Sequence, residues 1–179
     1  MSACRRILAG LSFVIVGIAL AVEVDAHTRS QSFSSWRIRD GEVRMSFSVT
    51  AREATRLPLT EGNLADLDTL LLSHLATTIR VASHGEPCTS VTKPHAFASP
   101  TGHLRAEWRL RCPPDAPIEI SNDAFFPVAP SHIHYARVRS GDRPPAEYLF
   151  SNAKRTHVIS PRDHARSHGR GASLGTYVL

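Results

Sequence analysis

The sequence predicts an all-β domain with one helix, built behind a signal peptide. Three observations carry that prediction. Residues 42–51 and 104–112 alternate strictly between apolar and polar side chains, which is how a half-buried antiparallel strand reads. Clusters of Gly, Pro, Asp and Asn break the chain roughly every 8–12 residues, the spacing of strands joined by tight turns. One stretch departs from that rhythm: Leu64, Leu67, Leu70, Leu71, Leu72 and Leu75 repeat with the period of an amphipathic helix. About eight or nine short strands with a single helix make the pattern of an antiparallel, Ig-like β-sandwich.

The first residues lie outside that domain. Arg5 and Arg6 precede an apolar run over residues 7–22, and Glu23-Val24-Asp25-Ala26 closes it with a small residue at the end, the layout of a secretory signal peptide. The run is about 16 residues, short of the ~20 that span a bilayer as a helix. Cleavage after Ala26 makes residues 1–26 the signal peptide and His27 the mature N-terminus. A second site after Ala21 and an uncleaved anchor are the alternatives. The protein is therefore expected to be exported, periplasmic or membrane-associated on the extracytoplasmic side. Two cysteines survive processing, Cys88 and Cys112, and in an oxidising compartment such a pair forms a disulfide. They lack the C-x-x-C spacing of metal sites.

The domain, residues 27–160, opens with a hairpin. Residues 32–39 set Phe33, Ser35 and Arg37 against Ser34, Trp36 and Ile38, and Asp40-Gly41 is a two-residue turn signal. Residues 42–51 follow, with Val43, Met45, Phe47 and Val49 on one face. Residues 52–58 read as irregular or a short edge segment. A helix then runs from an Asn63 cap to about Ala76, its acids Asp66 and Asp68 complementing the helix dipole. His74 reads as a surface or boundary residue of this helix. Strands are expected over 77–83, 88–93, 104–112, 118–122, 132–138, 147–151 and 155–160. Residues 161–179 form a polar linker ending in an apolar stretch that reads as the start of a truncated membrane helix.

The formal net charge is +5. The charges are scattered through the strands rather than clustered, and no nucleic-acid motif accompanies them, so no nucleic-acid partner is expected. No Gly-rich phosphate loop, G-x-S-x-G, H-E-x-x-H or free cysteine nucleophile occurs; no catalytic residue is assigned and the chain is read as not an enzyme. Histidine is the one excess: all ten lie downstream of the signal peptide. A free His27 offers an α-amine and an imidazole to one ion, which resembles the histidine brace of exported copper proteins. His132 and His134 share one face of a strand, and imidazole suits Cu, Ni and Zn. The candidate metal ligands are thus His27, His132 and His134. The alternatives are a frayed terminus for His27 and a packed or hydrogen-bonded pair at a sheet edge for the other two. Phe125 and Phe126 read as core anchors for that strand.

Three pieces of the chain carry a family resemblance: the Ala26-His27 junction, Ser32-Phe33-Ser34-Ser35-Trp36, and residues 122–138, Asn-Asp-Ala-Phe-Phe-Pro-Val-Ala-Pro-Ser-His-Ile-His-Tyr-Ala-Arg-Val, followed by Glu147-Tyr148-Leu149-Phe150. In these the chain resembles the periplasmic N-terminal region of HupE/UreJ-family membrane proteins. The resemblance implies a soluble domain ahead of membrane helices that take up nickel or cobalt; those helices and their metal motifs do not occur here. It leads to the expectation of an extracytoplasmic binding or assembly module associated with nickel, cobalt or copper handling. Its partners would be a transition-metal ion and a membrane transporter, or the chain's own missing membrane domain. The alternative is a metal-free structural or protein-interaction domain that docks on a membrane partner.

Overall fold

The structure is a computed structural model and describes residues 30–58 and 66–160. The signal peptide, His27, the expected Asn63 cap and the linker of residues 161–179 lie outside the described residues. Ten strands and two helices follow in order: β1 (Gln31–Arg39), β2 (Glu42–Thr50), α1 (Ala51–Ala54), α2 (Leu67–Thr78), β3 (Ile79–Ser83), β4 (Glu86–Pro87), β5 (Thr89–Ala96), β6 (His103–Arg111), β7 (Ile118–Asn122), β8 (Ile133–Ser140), β9 (Ala146–Ser151) and β10 (Thr156–Ile159). The fold is all-β with few helices, as the alternation predicts. Its strands form a six-stranded sheet, ordered β5-β6-β2-β1-β8-β9, and a four-stranded sheet, ordered β10-β7-β3-β4.

Both sheets and α2 feed one hydrophobic core. It gathers Trp36, Val43 and Phe47 from the large sheet, Val81 and Ile120 from the small one, and Leu71 and Leu75 from the helix. The alternating strands turn their apolar sides into it: Val43, Met45, Phe47 and Val49 are all buried on β2. Phe125 and Phe126 are core residues, each 1% exposed.

The β1–β2 hairpin turns on Asp40 and Gly41, both at positive φ (50° and 76°), which is what a type I′ turn requires. A Cβ on Gly41 would sit 2.5 Å from the Cys112 carbonyl oxygen, so this glycine also permits a close backbone approach. Cys112 is bonded to Cys88, which lies where the chain leaves β4 of the small sheet for β5 of the large one.

Three local expectations differ from what forms. Residues 51–54 make a helical turn, capped by Thr50, whose hydroxyl accepts from the Glu53 amide at 3.3 Å. The helix α2 is capped by Asp66, which accepts from the Thr69 amide at 2.6 Å. It also runs two residues further than expected. The hydroxyls of Thr77 and Thr78 donate to the His74 carbonyl at 2.9 and 2.7 Å and hold the last turn together, so β3 starts only at Ile79. His74 is half-buried and donates from its Nε2 to the Ala124 carbonyl.

Among the described strands the pairings are antiparallel with one exception: β1 pairs with β8 in parallel. This pairing sets Ser32 opposite His134 and Phe33 opposite Tyr135.

Candidate functional site

The two faces of the six-stranded sheet carry different chemistry. On the inner face, β1, β8 and His132 just ahead of β8 place polar side chains where a core strand would normally carry aliphatic ones. Ser32, Ser34, His132 and His134 are buried, at 0%, 6%, 2% and 1% exposure. The parallel register interleaves them, and they form a continuous ladder of hydrogen bonds. Ser30 Oγ lies 2.6 Å from His132 Nδ1, His132 Nε2 lies 2.8 Å from Ser32 Oγ, Ser32 Oγ lies 2.7 Å from His134 Nδ1, and His134 Nε2 lies 2.7 Å from Ser34 Oγ. Trp36 Nε1 donates to Ser34 Oγ at 2.7 Å, and Ser30 Oγ donates to the Glu53 carboxylate.

The Glu53 end, with both imidazoles neutral, fixes the direction of every proton along the run, and the Trp36 end is consistent with it. Indole N–H can only donate and a carboxylate can only accept. Each serine has a single hydroxyl proton. Ser30 gives its own to Glu53, so it must accept from His132 Nδ1–H. His132 Nε2 then accepts from Ser32, Ser32 accepts from His134 Nδ1–H, and His134 Nε2 accepts from Ser34, which accepts from Trp36. With both imidazoles neutral, as burial favours, this count places the proton of each ring on Nδ1. No polar atom in the run lacks a partner.

Aromatic rings close around the ladder. His134 stacks on Phe47 (5.2 Å between centroids) and His132 on Phe125 (4.9 Å), while Phe150 and Phe126 meet the same rings edge-on. Burial pushes His132 down to about 4, with the nearby Glu53 carboxylate opposing the shift and Arg56 adding to it. Burial pushes His134 down to about 3, with neighbouring His132 contributing.

These are the sequence-predicted ligands His132 and His134. The structure brings them together through the shared hydroxyl of Ser32, with β8 between β1 and β9 rather than at a sheet edge. In each ring one nitrogen holds a proton and the lone pair of the other accepts from a serine. A metal ion would have to displace a hydroxyl in a closed core. Among the described residues no group of three or more His, Cys, Asp or Glu is placed to hold an ion. A serine in contact with an imidazole is also the contact of a nucleophile and its base. Here Ser32 is fully buried, out of reach of any substrate atom. The sequence reading missed Ser30, Ser32, Ser34 and Glu53. The signal for the serines was Ser-x-Ser-x-Ser-x-Trp over residues 30–36, with the same period of two as His-x-His; Glu53, in α1, carried none.

The outer face is open and basic. Cross-strand register puts Arg139 beside Arg37, Arg37 beside Arg44 and Arg44 beside Arg109, one arginine from each of β8, β1, β2 and β6 in a single row. All four are exposed. Arg44 bonds Glu42 at 2.5 Å; Arg37, Arg109 and Arg139 form no ion pair with a described carboxylate. The row borders a depression of about 620 Å³ that includes Ser35, Ser46 and Arg137. The charges that look scattered along the chain are thus aligned by pairing. Against known proteins, no family model matches the chain, and no curated protein matches it significantly.

Proposed function

We propose that the chain is an exported, non-covalent docking module that holds an acidic partner on the outer face of its six-stranded sheet, at or near a membrane. The arginine row carries this reading. Like charges directly opposite one another on a sheet are destabilising, and this face sets four arginines in register, of which Arg44 alone is ion-paired with a described carboxylate, Glu42. Arg37, Arg109 and Arg139 would gain their counter-charge from an acidic ligand. The signal-peptide layout of residues 1–26 and the resemblance to the soluble region of HupE/UreJ-type proteins support an extracytoplasmic setting.

Metal handling through His132 and His134 is the weaker reading, because both imidazoles are engaged by serines in the core. Calorimetric titration of the processed chain with Ni(II), Co(II) and Cu(II) separates the two. We expect no saturable binding that His132→Phe or His134→Phe removes.

For the docking reading, the direct test is fluorescence anisotropy of a labelled oligoglutamate peptide with the processed chain at low salt. The expected result is saturable binding that weakens steeply with salt and falls by about tenfold or more in Arg37→Ser/Arg109→Ser/Arg139→Ser. Binding that is absent, or unchanged in that variant, removes the proposal.

A further inference from the structure

Resting on the docking reading, we propose that the outer face seats an acidic amphipathic helix of the partner, lying across the strands. The face has three parallel zones. The first is apolar: Phe33, Tyr135 and Leu149 are direct cross-strand neighbours on β1, β8 and β9, about half-exposed at 48%, 45% and 47%. The rings of Phe33 and Tyr135 stack at 5.5 Å. The third zone is the row Arg139, Arg37, Arg44 and Arg109. Between them the middle row is low at its centre, where Ser35 and Ser46 are cross-strand partners with short side chains, and is flanked by Arg137 and Glu147 on one side and Glu107 on the other. The depression of about 620 Å³ on the arginine side and another of about 430 Å³ on the aromatic side share Ser35, Ser46 and Arg137.

The dimensions select a helix. Phe33 and Arg37 are four residues apart on one strand, which sets the two rims about 13–14 Å apart. A helix with its side chains is ~10–12 Å across. Along the row, strands are spaced by ~4.8 Å, so four arginines span about 14 Å. One stripe of a helix presents a side chain about every 5.4 Å, close enough for flexible arginines to follow over three turns. An extended peptide laid the same way presents same-face side chains about every 6.8 Å and falls out of step by the third arginine. The match joins apolar anchors to a charged stripe, the helix-in-groove mode of recognition.

Charge complementarity also favours a discrete polypeptide over a continuous anionic surface. Glu147 is the cross-strand neighbour of Arg137 at one end of the middle row, and Glu107 that of Ser46 towards the other. A bilayer or nucleic acid laid over the whole face would press its own anions onto both glutamates. A helix with its acids confined to one stripe sets them on the arginine row, where Glu42 engages Arg44 alone, and keeps them off the two glutamates of the middle row.

The test uses a synthetic helix of about 14 residues, with glutamates at i, i+4, i+7 and i+11 and a leucine stripe beside them. It is compared with a scrambled peptide of the same composition and with the same peptide carrying a central proline. Anisotropy with the processed chain should show the helical peptide binding at least about tenfold tighter than either control. Phe33→Ala/Tyr135→Ala should abolish that preference while leaving the salt-dependent attraction of the controls. Equal binding of all three peptides overturns the helix while leaving the docking reading intact. Binding of none, at low salt, overturns both. Tighter binding to anionic phosphatidylglycerol vesicles than to any peptide overturns the helix in favour of a membrane surface.

Discussion

Ser32 carries two duties at once. Its oxygen accepts from His134 and its proton goes to His132, so it joins the two halves of the ladder. Replacing it with alanine leaves one imidazole donor and one imidazole acceptor unpaired inside a phenylalanine-lined core. Each orphaned group costs about 1–3 kcal/mol, and urea unfolding of Ser32→Ala should show a loss in that range for each. Ser35→Ala, on the outer face of the same strand, should be near neutral. Acid should act on the ladder as well. Both histidines have folded-state values below the ordinary 6.5, so the unfolded chain binds more protons through the window from about 6.5 down to about 4 for His132 and about 3 for His134. Stability is then fully present above that window and lost as pH falls through it, by about 1.4 kcal/mol per pH unit for each histidine. Glu53 and Arg56 are the charged groups at the His132 end, and they modulate the fall in opposite directions. A flat stability profile between pH 6 and 4 would contradict neutral, buried imidazoles.

At the scale of elements, the helix α2 and the β1–β2 turn each hang on one residue. Asp66 holds the first turn of α2 by accepting from the Thr69 amide, and Asp66→Ala should cost about 0.5–2 kcal/mol by thermal or urea unfolding. Asn63 had looked like the cap because it precedes the first leucine of the periodic run. The cap that forms sits three residues on, immediately before Leu67. The hairpin was readable from Asp40-Gly41, and the burial of Val43, Met45, Phe47 and Val49 from their alternation, because both are local signals. The ladder was half readable. His132, His134 and Ala136 do share a buried face, but their partners come from β1, about a hundred residues earlier. Only the parallel pairing of β1 with β8 brings Ser32 against His134, and no local pattern encodes which strand lies alongside which. The arginine row is hidden for the same reason. Arg37, Arg44, Arg109 and Arg139 come from four strands and become neighbours through register alone. His27, the remaining expected ligand, lies outside the described residues.

In the whole molecule, the two sheets are joined covalently where the chain crosses between them. Cys88 follows β4 of the small sheet, and Cys112 ends the β6 segment of the large one; the bridge closes a separation of 24 residues. Loop closure of that length is worth about 3–4 kcal/mol in the chain-entropy model. Reduction, or Cys88→Ser/Cys112→Ser, should lower stability by that order while leaving the ladder pairing in place. The division of chemistry between the faces of the large sheet makes a further demand on stability. A residue kept for binding, against its like-charged neighbours, contributes nothing to the free fold. The deciding measurement is the urea unfolding curve of Arg37→Ser/Arg139→Ser beside that of the parent chain. If the row is held for an acidic ligand, the variant is as stable as the parent or gains a few tenths of a kcal/mol as repulsion is relieved. A loss of more than about 1 kcal/mol would show that these arginines support the fold itself, and would contradict their assignment to a docking surface.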